Sequence, residues 1–366
     1  MIRSATRRLS HPPVTRARRI KRRLVVVLLA LAAGEVLAGV SGQVDPKNIQ
    51  GLLRAQLQLS NAELSALTQG RPIAKTLPST MNREMTTGGA VRIRGGAMMR
   101  FVNQFKTLEG FKTSSFVLQI NRFSDPPQLG DLDALTLEAD DVSSLRKCRV
   151  SECDVQLAAD DIRRFNTQVN WQSPTAERDA ALLYKQILFD HLTKYRAGGK
   201  DQLLHYQDRA PGVQLAVETE ALWNAKPSVL DQSPVFQQHL RRYPASPDVD
   251  TEDFFYWSKE AFGFKPVTGL NHVSVHTDPA TGTVMIVTTQ IYASHYMDGS
   301  VGFNTLIPDH SSASDPGFYW MFVNRARVGR LAGFLGTIAR PITQRKARSG
   351  LLKSLQQTKQ RFEAAQ

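Results

Sequence analysis

The feature that most constrains the fold is a stretch of alternating apolar residues in the second half of the chain. Val273 and Val275 alternate with polar neighbours, which is typical of a β-strand with one buried face. A turn sequence at 278–282 follows, and a longer apolar alternation begins at Val284. Four segments share this pattern: 272–276, 284–297, 301–307 and 318–324. Strands joined by short turns predict an antiparallel sheet.

Charge is concentrated at the two ends of the 366-residue chain. Residues 1–38 carry a net charge of +8 and residues 325–366 a net charge of +9, so the body between them is mildly acidic at −4. The composition is 42% hydrophobic and 22% charged, which excludes a disordered chain. An acidic body in an exported chain argues against nucleic acid as a partner.

The N-terminus has the order of a secretory signal. Nine Arg or Lys residues precede an uncharged run over 24–34, and small residues follow near Ala38 and Ser41. The apolar run is about half of the roughly 20 residues that span a bilayer as a helix. We therefore expect a signal peptide over 1–42 and a periplasmic or otherwise exported protein. A retained membrane anchor and a cytosolic basic arm are the alternatives.

The chain has two cysteines, Cys148 and Cys153. In an oxidising compartment such an isolated pair favours a disulfide. A zinc site would need further ligands, and no histidine is near in sequence; a redox pair would favour closer spacing. We expect a structural disulfide, no metal and no cofactor.

Local sequence signals divide the chain into segments that differ in predicted secondary structure. Ser60 and Glu63 form a predicted capping box for a short helix, and the acidic run up to Asp253 reads as part of a linker. The predicted organisation is α+β, with an antiparallel sheet around a C-terminal helix. The segments are a signal peptide (1–42), a helical lead-in (43–88), a first sheet part (89–136), a mainly helical insertion (137–245), a β-rich part (246–324) and a basic C-terminal helix (325–366).

Aromatic residues point to a core or a pocket. Fourteen of the 29 Phe, Trp and Tyr lie between Phe254 and Phe334. A solid core is one interpretation; a ligand cavity is the other, because one strand face combines apolar residues with a few polar ones. That face gives the predicted ligand-binding residues: Met285, Val287, Thr289, Ile291, Ala293, His295 and Met297.

Motifs of common enzymes are missing from the sequence. There is no Gly-x-Ser-x-Gly elbow, and Ser294 and His295 are neighbours whose side chains would point to opposite faces of a strand. His272 and His276 lie four residues apart on a predicted strand, roughly 13 Å, which is too far to share one metal ion. His191, on a helical apolar stripe, is interpreted as a hydrogen-bonded core residue.

The basic C-terminal segment allows two interpretations. Its Arg and Lys residues would suit contact with an anionic membrane surface. Equally, Leu351, Leu355 and Phe362 form an apolar stripe with which a helix could dock on the sheet.

Three stretches resemble a family of uncharacterised exported bacterial proteins, a resemblance that implies no activity. They are Asp131-Leu132 with Cys148 to Val155; Tyr256 to Lys259 with Phe264 to Pro266; and Gln290 to Tyr296. More remotely, the order of strand, amphipathic helix and strand over 91–123, followed by antiparallel strands and a long helix, resembles the START-like helix-grip superfamily. That resemblance implies a hydrophobic ligand cavity between sheet and helix.

We therefore expect a periplasmic, non-catalytic binder or carrier of a hydrophobic, lipid-like small molecule. One alternative is a cavity-type enzyme that uses His295 as acid or base. The other is a structural envelope interaction protein with a filled core.

Overall fold

A computed structural model describes the chain from Asn48 to Ala364, with gaps. Residues 80, 82, 97, 109–115, 246–249, 262–264, 312 and 330–333 are not described, and of 334–339 only the backbone is. The predicted signal peptide over 1–42 lies outside the described residues. Residues 43–366 form one compact unit.

The core of the molecule is an eight-stranded sheet in which every neighbouring pair is antiparallel. The strand order is β1-β2-β10-β9-β8-β7-β6-β3, and β4 and β5 form a separate small ladder. The strands are β1 Ile73–Leu77, β2 Glu84–Arg94, β3 Val117–Arg122, β4 His205–Tyr206, β5 Val213–Gln214, β6 Thr251–Glu260, β7 Val267–Thr277, β8 Val284–Ala293, β9 Met297–Asp309 and β10 Gly317–Val328. The predicted α+β class with an antiparallel sheet is confirmed.

Nine α-helices lie in the described part of the chain. They are α1 Ile49–Leu57, α2 Asn61–Thr68, α3 Met98–Lys106, α4 Ala139–Lys147, α5 Ala159–Gln168, α6 Ala176–Gly198, α7 Leu215–Asn224, α8 Pro234–Arg242 and α9 Phe334–Glu363. Helices α4 to α8 form the insertion between β3 and β6, and α9 is the predicted C-terminal helix, with Pro341 inside it.

The lead-in is only partly helical. The capping box of α2 is confirmed: Ser60 Oγ accepts from the Glu63 backbone N–H at 3.3 Å, and Glu63 Oε2 accepts from the Ser60 N–H at 2.8 Å. Beyond α2, however, β1 and the first residues of β2 are already part of the sheet, within the segment predicted as helical. These short segments are strands because they pair with neighbouring strands, and a single sequence does not show that pairing.

One face of the sheet, which we call the helix face, is covered by α3 and the C-terminal half of α9. Phe101 and Phe105 of α3 and Leu355 and Phe362 of α9 share a buried cluster with the sheet. The sheet residues of that cluster are Val91, Ile93, Phe254, Tyr256, Val273, Val275, Val284, Ile286, Leu306, Phe318 and Trp320. Docking of the apolar stripe of the C-terminal helix on the sheet is thus what the structure shows.

The opposite face, the insertion face, is covered by the other helices. Two buried clusters lie there, one beneath α4 to α7 and one beneath α1, α2, α7 and α8. The second joins Leu57 of α1 and Phe236 of α8 to Val287 and Phe303 of the sheet. Both faces of the central strands are therefore packed over much of their length, which explains why these strands carry apolar residues on both sides.

Two sequence boundaries were wrong. The predicted strand 284–297 is two strands: the chain turns at 294–296, where Tyr296 has φ 61°, and Met297 begins β9. Asp253, predicted in a linker, lies in β6. Neither boundary is marked by glycine or proline, the residues that usually announce a turn.

Cys148 and Cys153 form a disulfide directly after α4, with Cα atoms 4.5 Å apart. The bond closes a short turn in which the Arg149 N–H donates to the Glu152 carbonyl at 2.9 Å. Among the described residues, no helix is both long enough and apolar enough to cross a membrane.

Candidate functional site

The predicted ligand-binding residues do not line one cavity. Met285 and Val287 lie in the cluster beneath α1, α2, α7 and α8, and Ile291 lies in the cluster beneath α4 to α7. Thr289 is buried and pairs with His272 of β7. These four residues are on the insertion face. The expectation that the C-terminal helix closes over them is wrong, because α9 packs on the helix face.

An irregularity in β8 separates the remaining predicted residues from these. Asn271 pairs with Gln290 and Leu270 with Tyr292, so Ile291 is an extra residue in the ladder. Beyond this bulge Ala293 pairs with Gly269, and Met297 stands on the next strand opposite Val328. The two-residue alternation used to group them does not continue through a bulge.

His295 lies in the turn between β8 and β9 and is 2% exposed. Its Nδ1 contacts the Asp154 carbonyl at 3.0 Å and its Nε2 contacts Asp141 Oδ1 at 3.1 Å. Lys265 pairs with the Asp154 carboxylate at 2.7 Å. Both ring nitrogens are thus engaged in holding the disulfide-bonded region to the turn, and neither is left for a substrate.

A different set of residues is partly exposed in the middle of the helix face. Asn271, Thr288, Ser300, Phe322 and Asn324 belong to β7, β8, β9 and β10, the inner strands of the sheet, yet each is half-buried. Residues on inner strands are shielded by strands on both sides, so this exposure must come through the helix face. We call this set the polar groove.

Gly302 of β9 forms the floor of the polar groove. A methyl group at Gly302 would lie 3.7 Å from Asn324 Nδ2, 3.7 Å from Phe322 Cε2 and 3.9 Å from Thr288 Cβ. These side chains therefore surround a position at which the sheet itself has no side chain. Asn324 Nδ2 also donates to Ser300 Oγ at 3.2 Å, which fixes the orientation of its amide.

Helix α9 explains why only half of the helix face is open. Its large buried side chains, Leu355 and Phe362, come after Gly350 and fill the apolar end. Before Gly350, the helical spacing places Thr343, Gln344 and Ala347 on the same side as Leu351, and all are half-buried. Thr343, Gln344 and Ala347 are smaller or more polar than Leu355 and Phe362, in keeping with the partial exposure of the sheet residues in the middle of this face.

The groove offers hydrogen bonds and little charge. Asn271, Thr288, Ser300 and Asn324 contribute amides and hydroxyls. At the end of the same face of β6, burial raises the pKa of Glu260, to whose Oε1 the Ser258 hydroxyl donates at 2.7 Å. Glu260 is four residues beyond Tyr256, the β6 partner of Asn271, so it adds no charge beside the groove residues.

The sequence-based prediction missed the groove because it used the alternate residues of β8 that are mainly apolar, beginning with Met285 and Val287. The other phase contains Thr288 and Gln290 after Val284 and Ile286. On this face of β8, apolar residues give way to polar ones along the strand, and the same change occurs in β9 and β10. This change was the sequence feature that could have indicated the groove. Its meaning depends on strand register, which a single sequence does not reveal.

A second concavity, a cleft of about 390 Å³, lies where α6 and α8 end. It is lined by Ala197, Gly198, Lys200, Asp201, Arg241, Arg242, Tyr243, Pro244 and Ala245. Lys200 and Arg241 both pair with Glu220, at 2.8 Å for the lysine. Two of its three basic side chains thus share the Glu220 carboxylate, and Arg242 is exposed.

No group of three or more His, Cys, Asp or Glu among the described residues is arranged to hold a metal ion. Comparison of the chain with family models, curated proteins and solved structures gave no match.

Proposed function

We propose that this protein is a non-catalytic binder of a small amphipathic, lipid-like molecule, held in the polar groove. The observation that carries this proposal is the partial exposure of Asn271, Thr288 and Asn324 on inner strands of a sheet whose faces are otherwise packed. A few hydrogen-bonding groups in an otherwise apolar concavity are typical of small-molecule sites. A periplasmic or exported location stays part of the proposal.

The groove has one polar and one apolar end, which suits a ligand with the same division. The polar group would contact the Asn324 amide and the Thr288 hydroxyl, which lie on either side of Gly302, and the apolar part would lie against Phe322 and toward Trp320 and Ile286. The hydrogen bond from Trp320 Nε1 to Asn304 Oδ1, at 2.9 Å, satisfies the indole N–H within the protein. Trp320 is therefore free to act as an apolar wall.

A catalytic role for His295 has less support. Its two nitrogens already contact Asp141 and Asp154, and the residue lies in the turn after the bulge rather than in the polar groove. A general acid or base must reach the substrate proton within hydrogen-bond distance.

Two substitutions that would fill the groove from opposite sides test this proposal. Ala347→Trp places an indole above it from α9, and Gly302→Leu fills its floor. Ser349→Trp is the matched control, because Ser349 is on the exposed side of the same helix. Small molecules that remain bound to gently purified protein are quantified by native mass spectrometry, together with the melting temperature of each variant.

The expected result is bound ligand on the wild type and on Ser349→Trp, with at least about a tenfold loss of occupancy in both groove-filling variants, equivalent to about 1.4 kcal/mol of binding free energy. The melting temperatures should stay close to that of the wild type. If the wild type carries no ligand and exposure to lipid extracts adds none, the binder proposal fails and a structural role with a filled core takes its place.

A further inference from the structure

The outward side of the first half of α9 is strongly basic. Arg345, Lys346, Arg348 and Lys353 are exposed there, and we call these four residues the basic stripe. None of the four has an ion-pair partner within the described part of the chain. The helix has no acidic residue before Glu363, and that one pairs with Lys359. The described residues therefore do not neutralise the positive charge of the stripe.

Exposed apolar residues lie beside the basic stripe. Ile342 is 55% exposed, and its spacing places it on the same side of the helix as Arg345 and Lys346. Across from α9, the edge strand β3 contributes Leu118, which is 52% exposed, and Phe116 precedes it at 42%. The Phe116 ring lies against α9: a methyl group at Gly350 would be 3.3 Å from its Cε2 and Cζ atoms.

From this combination we infer that the outward side of α9, with the adjacent edge of β3, docks on a membrane surface that contains anionic lipid. The cations would face phosphate headgroups, while Ile342, Phe116 and Leu118 would enter the boundary between headgroups and acyl chains. The inference is independent of the polar groove, since it uses none of the groove residues.

Charge and apolar exposure together favour a membrane over a nucleic acid. A polyanion in water would attract the basic stripe equally well, but it would gain little from exposed aliphatic side chains. Ile342 and the basic stripe together extend over about 16 Å, from residue 342 to residue 353, since a helix rises 1.5 Å per residue. A helix of this length can lie flat in the interface, and it needs no further element to do so.

The first experiment reads the position of α9 directly in the full chain. The structure shows no free cysteine among the described residues, and the sequence has only the disulfide pair, so Ile342→Cys gives a single labelling site for an environment-sensitive fluorophore. Leu182→Cys on α6, 58% exposed at the wild-type residue, is the control. Vesicles contain about 30% phosphatidylglycerol in phosphatidylcholine or phosphatidylcholine alone.

We expect a blue shift for the label at 342 on anionic vesicles only, and none for the label at 182. Because the readout is local, binding through the N-terminal segment alone would leave the label at 342 unchanged and would overturn the inference. Equal shifts at both positions, or no binding of the chain to anionic vesicles, would also overturn it.

The second experiment removes the charge. Replacing the four stripe residues by Gln should weaken α9 docking several hundredfold, since each basic residue near an anionic surface contributes about fivefold. The matched control replaces four exposed cations elsewhere: Lys147, Arg178, Lys194 and Arg242. Docking is read from the label at 342. An equal loss in both variants, or competition by single-stranded DNA at the same charge concentration as the lipid, would contradict membrane docking.

Discussion

Asp253 joins three elements through one carboxylate. It accepts from His272 Nε2 at 2.8 Å and from Ser274 Oγ at 2.6 Å, both on β7, and it contacts His239 Nε2 of α8 at 3.0 Å. On the far side of the His272 ring, Nδ1 contacts the Tyr195 hydroxyl of α6 at 3.0 Å. Burial alone would raise the pKa of Asp253, but the hydrogen bonds from the two histidines and the serine outweigh it and lower that pKa well below its ordinary value.

At the residue scale, we expect Asp253→Asn to lower the free energy of unfolding by about 3 kcal/mol at neutral pH, because it leaves buried polar partners without their carboxylate. A carboxyl whose pKa is lower in the folded state stabilises the protein above its unfolded pKa, and this contribution is lost as the pH falls below about 4. Urea denaturation from pH 7 to pH 3 measures both effects.

The loss of stability between pH 5 and pH 3 should be smaller in Asp253→Asn than in the wild type. Asp231→Asn, at an exposed ion pair with Lys226, serves as control and should change stability by less than about 1 kcal/mol. If the free energy of unfolding of Asp253→Asn depends on pH as strongly as that of the wild type, other carboxylates cause the acid destabilisation.

This network also shows what a sequence reveals about single residues. The alternation over β7 correctly put His272 and His276 on the polar side of their strand, and the geometry of a strand correctly kept them apart. What the sequence did not show is that this side is buried by the insertion. His191 fits its interpretation as a hydrogen-bonded core residue, since its Nε2 contacts Asp161 Oδ2 at 2.8 Å.

At the element scale, β8 combines three environments within ten residues. Met285 and Val287 face the insertion, Thr288 faces the polar groove, and the bulge at Ile291 puts Tyr292 back on the insertion face. Tyr292 contacts the Tyr184 hydroxyl at 3.0 Å, and the Ala293 N–H donates to the Tyr206 hydroxyl at 2.9 Å. The end of this strand is therefore tightly fixed by buried tyrosines.

We accordingly expect Ala293→Trp to destabilise the protein by about 3 kcal/mol, the upper part of the range for overpacking, because Ala293 is 2% exposed and an indole there would have to displace neighbouring side chains. Thr288→Trp on the same strand is the control and should cost less than about 1 kcal/mol, since its side chain extends into the polar groove. Urea denaturation measures the free energy of unfolding of both variants. A larger loss of stability for Thr288→Trp than for Ala293→Trp would show that the groove is filled.

Local patterns predicted most elements but not their ends. The hairpin of β7 and β8, the strands β9 and β10 and the helix α3 lie where alternation or helical spacing placed them. The turn at 294–296 escaped because it contains neither glycine nor proline, and the bulge at Ile291 escaped because it depends on the partner strand. Tertiary pairing determines both features.

At the scale of the whole molecule, the two faces of the sheet explain why the predicted site was misplaced. The apolar face of β8 is covered by helices from two distant parts of the chain, the lead-in and the insertion. A sequence shows that such a face must be buried, but it does not show which segment covers it. The assumption that α9 would do so came from chain order alone.

The same packing predicts that sheet, lead-in and insertion unfold together. Leu57 of α1 lies against Gly88 of β2, and Leu188 of α6 belongs to a cluster shared with Trp257 of the sheet. Because neither helical segment has a separate core, removing either buried leucine should weaken one common structure. Calorimetry of the wild type should show a single transition, and Leu57→Ala and Leu188→Ala should each lower its midpoint, at a cost of about 3 kcal/mol.

Leu182→Ala is the control for the helix substitution, since Leu182 is exposed on the same helix as Leu188, and its midpoint should stay near that of the wild type. Two resolved transitions, of which Leu57→Ala lowers one and Leu188→Ala the other, would mean that the insertion is a separate folding unit. In that case the clusters on the insertion face would be an interface between units. If both variants instead show one transition at a lower midpoint, each substitution has removed apolar contacts from the same cooperative unit. Burial of the sheet by the lead-in and by the insertion then stabilises the fold as a whole.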